Sequence, residues 1–171
     1  MDASYIQHIQ GRVSLEPTLV DLPRRHMVGI ATRFQSMEVE RNRLAHRLQP
    51  LWDGFVPQMT CVESPRQGVG YGVICTDRPD GLTYLAAVEA SSELRVVPEG
   101  MEQVTLPACT WAVFEHHGAT EQLDHTVNYV YACWLLQSGR AHAYLPDLEI
   151  YDERYAPGSP ESVVGYAIPV V

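Results

Sequence analysis

The chain has 171 residues, 46% hydrophobic and 19% charged, enough to bury one ordinary domain or two small half-domains around a shared core. Its formal charge of -9, from 12 Lys plus Arg against 21 Asp plus Glu, leaves no basic stripe to neutralise phosphates and argues against direct nucleic-acid binding. An acidic field of this kind suits cationic partners as well as plain solubility.

The N-terminal stretch MDASYIQHIQGRVSLEP lacks a basic segment followed by an apolar one, and no run approaches the ~18 apolar residues of a membrane span. A cytoplasmic protein with no membrane partner is expected, with residues 1–15 forming a short arm and 16–171 one domain. VDLPRRHMVGI (20–30) then reads as a strand, a Pro-marked break and a second strand. Leu44, Leu48, Leu51, Trp52 and Phe55 follow the spacing i, i+4, i+7, i+8, i+11, one apolar stripe along a helix, in which Pro50 predicts a kink or a restarted turn. GYGVICT (70–76) and LTYLAAVEA (82–90) are strand candidates around the turn-like DRPDG. The stretch GVGYG at 68–72 resembles part of a phosphate loop, but it precedes a strand instead of opening a helix.

After a linker at 91–101, the order repeats. VTLPACTWAVF (104–114) matches the first strand-Pro-strand pattern, and Leu123, Val127, Val130, Tyr131 and Trp134 form a second helical stripe, which should end near Gly139. DLEIYDE (147–153) and VVGYAIPVV (163–171) are the last strands, joined through APGSP. Half-repeats at about 16–90 and 102–171 therefore each read strand-helix-strand-strand. The fold class expected is α+β, duplicated with pseudo-twofold symmetry and a ligand groove between the halves.

Glu149 stands out because Leu148 and Ile150 flank it in a strand-like run. If those two face a core, Glu149 and Tyr151 share the other face. With Tyr166, Tyr84 and Tyr71 on neighbouring strands, the result would be an aromatic basin holding one acid. A lone buried carboxylate needs a donor, a cation or its own proton, and aromatic faces attract delocalised cations. Phe55 and Trp134, on the helical stripes where core packing is the default, and Trp111, which could face a helix or the groove, complete the candidate ligand-binding set. The widely spaced Cys61, Cys75, Cys109 and Cys133 read as reduced core thiols. His116, His117, His125 and His142 lie at no recognised ligand spacing, so neither a metal nor a cofactor is implied.

The succession LPRRHMVGI, LQPLWDGF, YGVIC, TYLAAVE, PEGMEQVTLPACTWAVFEHHG, VYACWLLQSG, DLEIYDERY and GYAIPVV resembles the GyrI-like family, over roughly residues 16–171. That family includes the effector-binding domains of bacterial transcription activators and multidrug-sensing regulators. The resemblance implies the same duplicated fold, a site for lipophilic, often cationic small molecules, and a carboxylate at Glu149. It also implies a stand-alone member without the DNA-binding module of the regulators, of the kind carried on mobile gene cassettes. Two other activities occur among such proteins: hydrolysis of cyclopropane-type toxins, in which Glu149 would act as general base and Tyr166 would assist, and protein-interaction inhibition of the gyrase-inhibitor type with a protein partner.

Overall fold

The computed structural model describes residues 11–35, 41–79 and 81–171, so most of the arm expected at 1–15 lies outside the described residues. Among the described residues, eight antiparallel strands form one sheet: β1 (Thr18–Leu22), β2 (Arg25–Gln35), β3 (Gly70–Arg78), β4 (Gly81–Ala90), β5 (Glu102–Leu106), β6 (Cys109–His117), β7 (Asp147–Tyr151) and β8 (Val163–Val170). Their order across the sheet is β1-β6-β8-β7-β3-β4-β2-β5. Exchanging each strand with the one four places later in the chain reverses this order onto itself, so the halves are related by a pseudo-twofold axis between β3 and β7.

The Pro-marked breaks have a topological consequence that local pattern did not reveal. Pro23 and Pro107 end the first strand of each half, and that strand crosses to the other half: β1 pairs with β6, and β5 pairs with β2. The halves are thus interlocked at both sheet edges as well as joined at the β3–β7 seam.

Among the described residues, one face of the sheet carries both helices. The first, Arg41–Phe55, runs unbroken through Pro50 and continues as a 3-10 turn at Val56–Cys61, so the restart expected at Pro50 does not occur. Pro50 is exposed, where its missing N–H leaves a carbonyl within reach of water. The helix buries Phe55 and packs Leu48, Leu51 and Trp52 over Val28, Tyr84, Ala86 and Val88. Leu44 falls in the helix as expected, but its side chain lies outside the described set.

The second helix runs from Leu123–Tyr129 through a π-helical segment, Val130–Trp134, to a last turn at Leu135–Gln137. It ends where expected, with Gly139 at φ 71°. Leu123, Val127, Val130, Tyr131 and Trp134 all join the cluster over Ala112, Phe114, Val164, Tyr166 and Ile168. None of the four cysteines is in a disulfide, but Cys61 is exposed and Cys109 partly so. Reading all four as core thiols overstated their burial, because Cys61 closes the 3-10 turn at the surface.

The opposite face, helix-free among the described residues, buries Met27, Tyr71, Leu85, Leu106, Trp111, Leu148 and Ala167 by curling on itself. Five strand spacings separate β2 from β6, about 24 Å in a flat sheet. Yet the Arg25 guanidinium carbon on β2 lies 5.2 Å from the centroid of Trp111 on β6. Gly29 allows part of this bend: a Cβ there would stand 1.8 Å from the Ala86 carbonyl oxygen of β4.

Gly29→Ala should therefore cost more than ordinary overpacking, at least about 3 kcal/mol, because the obstacle is backbone and not a side chain that can rotate away. Urea unfolding checks this, and a loss below about 1 kcal/mol would mean the strand relaxes readily.

Candidate functional site

The seam between the halves positions the acid. β3 and β7 pair with Gly72 opposite Glu149, and β7 and β8 pair with Glu149 opposite Tyr166. Strand alternation then puts Asp147, Glu149 and Tyr151 on the helix-bearing face and Leu148 and Ile150 on the other. Glu149 is 8% exposed. Its Oε2 accepts hydrogen bonds from the hydroxyls of Tyr84 at 2.6 Å and Tyr151 at 2.8 Å. Among the described residues, Oε1 receives none, and no Lys or Arg pairs with the carboxylate.

Tyr84 is itself oriented by a donor. Trp52 Nε1 reaches the Tyr84 hydroxyl oxygen at 3.1 Å, which leaves the tyrosine proton committed to Glu149. The Trp52 ring meets Tyr151 edge-on at 5.3 Å, and Tyr151 meets Tyr155 at 4.8 Å. Phe55 stands behind Trp52, with ring centroids 6.1 Å apart. The result is a carboxylate in an aromatic enclosure between the first helix and the seam.

Burial pushes the Glu149 carboxyl above the usual carboxylate range, and the bonds from Tyr84 and Tyr151 pull it only part of the way back. Burial also raises Tyr84 and Tyr151 well above the ordinary phenol range, with the nearby Glu149 charge adding to it. Both tyrosines thus stay protonated donors across the physiological range.

A second acid sits one pleat away. Asp147, 8% exposed, accepts from Tyr131 and Tyr166 (2.8 Å) through Oδ2 and lies 2.9 Å from His142 Nε2 through Oδ1. Burial, then the Asp147 charge, raises the Tyr131 hydroxyl. The alternation that grouped Glu149 with Tyr151 also contains Asp147, so this acid was visible in the sequence and overlooked. His142, with no role apparent from spacing, is its partner.

Of the expected ligand-binding set, Glu149, Tyr84 and Tyr151 come together. Tyr166 faces the same side but gives its hydroxyl to Asp147. Trp134 lies in the second helix's cluster, 5.2 Å from Phe114. Tyr71 and Trp111 must be corrected: both lie on the helix-free face. The register sets Gly72, not Tyr71, against Glu149, and Trp111 against Pro169, so neither ring can enter the basin. Trp52, read from its helical stripe as core, is instead the residue that orients Tyr84.

The phosphate-loop-like glycines explain themselves here. A Cβ on Gly70 would come within 3.0 Å of Trp52, and one on Gly72 within 2.2 Å of the Tyr84 hydroxyl and 2.5 Å of Glu149 Oε2. They form the floor of the enclosure.

Comparison with known proteins matches residues 15–171 to a family model described as a GyrI-like small molecule binding domain. The transcriptional regulator BrlR of Pseudomonas aeruginosa is 33% identical over 159 residues, 92% of this chain but 56% of the regulator, so the chain spans about half that protein's length. The structure of SAV2435 bound to tetraphenylphosphonium superposes with a TM-score of 0.75 at 17% identity, covering 91% of this chain and 94% of that one. An integron cassette protein from the mobile metagenome of Vibrio cholerae superposes with a TM-score of 0.59 at 15% identity, covering 94% and 96%.

Gly72→Ala should displace the Tyr84 and Glu149 side chains and destabilise the fold by about 1–3 kcal/mol. Chemical denaturation together with the Tyr84 hydroxyl resonance tests this; an unmoved resonance would show that the floor has spare room.

Proposed function

Because the chain belongs to the GyrI-like small molecule binding domain family, we propose that the small molecule it binds is a lipophilic cation, held at Glu149 between Trp52, Tyr84 and Tyr151. The observation that carries this reading is a buried carboxylate satisfied on one oxygen by two tyrosines and paired with no basic side chain among the described residues. Such a group holds a proton or awaits a cation. Aromatic faces around it stabilise a delocalised positive charge by about 0.5–2 kcal/mol per good contact, and an apolar wall excludes small hydrated ions. Tetraphenylphosphonium, the ligand of SAV2435, has this character: one delocalised charge inside an aromatic shell. Read as one domain over residues 16–171, the half-repeats at about 16–90 and 102–171 would share this site at their seam, with 91–101 linking them. The acidic surface adds a favourable field for the same ligand class.

Glu149→Gln keeps the shape and the acceptor for both tyrosines but removes the charge. It should weaken tetraphenylphosphonium binding by about 1–3 kcal/mol, roughly 5- to 150-fold, and weaken a neutral analogue such as tetraphenylmethane carrying a solubilising group much less. Equal losses for both would mean that Glu149 only shapes the enclosure.

The pH dependence follows from the raised carboxyl. The free protein holds a proton on Glu149 to higher pH than the unfolded chain does, so affinity for the cation should fall as pH drops through that raised value. The same shift has the opposite sign for folding. Stability from this group is fully present below the unfolded-state value and is lost as pH rises through the folded one. In the absence of ligand, Glu149→Gln should therefore melt higher than the wild type at pH 8, with the gap closing toward pH 4. A gap that stays constant with pH, measured by calorimetry, would show that the carboxyl is not raised.

A further inference from the structure

On the helix-free face, across the sheet from Glu149, lies a pocket of about 220 Å³. Its apolar walls include Val20, Leu22, Leu148 and Ala167, and its polar end holds Arg25, Tyr71 and Trp111. Arg25 is 93% buried, with its side chain 7% exposed. Its nearest carboxylate oxygen, on Glu89, approaches Nη1 at 3.9 Å, beyond hydrogen-bond range. Nε and Nη2 are buried with no hydrogen-bond partner, and so is Trp111 Nε1 beneath the guanidinium.

Nε and Nη2 are the two N–H groups on one edge of the guanidinium, the fork that accepts a carboxylate through two parallel hydrogen bonds. An unsatisfied fork inside a protein is costly, and natural structures leave few such groups. Tyr71 adds a third potential donor: its oxygen accepts from Arg66 Nη1 at 3.1 Å, and its own proton goes to no acceptor among the described residues. The acids at the rim do not compete for the fork. Glu115 and Asp152 are both held by Arg154, at 2.6 and 3.0 Å.

We infer that this pocket is a second binding site, for a small monocarboxylate with a planar apolar body, its two oxygens on the Arg25 fork once the guanidinium, sealed in the free protein, turns off Trp111 toward the pocket, and its body against Trp111 and Leu148. The size argues for a fragment-scale ligand, since drug-sized ligands need roughly 300 Å³ or more. The charge argues for a monoanion: the lining carries Arg25, Arg66 and Arg154 against Glu115 and Asp152, one net positive charge. The two faces of the sheet therefore carry sites of opposite preference, an acid awaiting a cation and a cation awaiting an acid.

Benzoate is the probe, with benzamide as its neutral isostere and inorganic phosphate as a general anion. In thermal-shift and calorimetric titrations of the full chain, benzoate should bind at least tenfold more tightly than benzamide, and phosphate should cause no comparable shift. Arg25→Lys keeps the charge but loses the fork, and should weaken benzoate at least tenfold. In the wild type, the Arg25 Nε–H resonance, assigned through bonds from the Arg25 backbone amide, should move on saturation with benzoate, a readout that stands even if the variant folds poorly. Saturating tetraphenylphosphonium should not displace benzoate competitively. Benzamide binding as well as benzoate, phosphate matching it, an unmoved Arg25 resonance, or competitive displacement by the cation would each overturn the assignment.

Discussion

The pairing of β3 with β7 at the pseudo-twofold axis is the constraint on which the rest of the molecule depends. It joins the halves in the middle of the sheet and sets Gly72 against Glu149. A side chain at Gly72 would occupy the space of the Tyr84 hydroxyl and the carboxylate. The seam can therefore hold a buried acid because one of its strands gives up side chains at Gly70 and Gly72. Trp52 then descends from the first helix into the room left by Gly70, and its indole N–H fixes the Tyr84 hydroxyl that fixes Glu149.

Duplication supplied two equivalent positions at the centre, and the sequence has made them unequal. Symmetry brings β3 and β7 together, yet β7 carries Asp147, Glu149 and Tyr151 where the same face of β3 carries Gly70, Gly72 and Ile74. One strand provides the chemistry and the other the volume. The two acids are treated differently too. Asp147 is saturated by Tyr131, Tyr166 and His142, a network that ties the second helix and its following loop to the sheet. Glu149 keeps an oxygen without a hydrogen bond from the described residues. A saturated acid is a structural element, and a half-saturated one is a site.

Much of this was legible in the chain because it rests on local periodicity. The two helical stripes, the Pro-marked strand pairs and the period-2 alternation around Glu149 each need a window of about ten residues, and each led to the observed element. What failed needed register. Whether Tyr71 or Gly72 faces Glu149 depends on the alignment of strands some 80 residues apart, and a one-residue difference inverts every side chain. The same holds for Trp111. Asp147 is a different case: the same alternation marks it, but at the first position of β7 nothing local separates a buried acid from a solvated strand end. The exchange of β1 and β5 had no local sign at all, because both Pro breaks read equally well as ordinary hairpin corners.

That exchange also bears on how the chain must be made. Among the described residues, β1 has no partner in its own half; the strand it pairs with, β6, ends at His117, about a hundred residues later. At ribosomal rates of about 5–20 residues per second, the first strand waits on the order of 5–20 s before its hydrogen bonds can form. β2 likewise presents an open edge until β5 emerges. Neither half can close without the other, so the nascent chain passes through a stage with exposed strand edges, and the short β1 with its exposed Leu19 is the segment a holdase would be expected to shield.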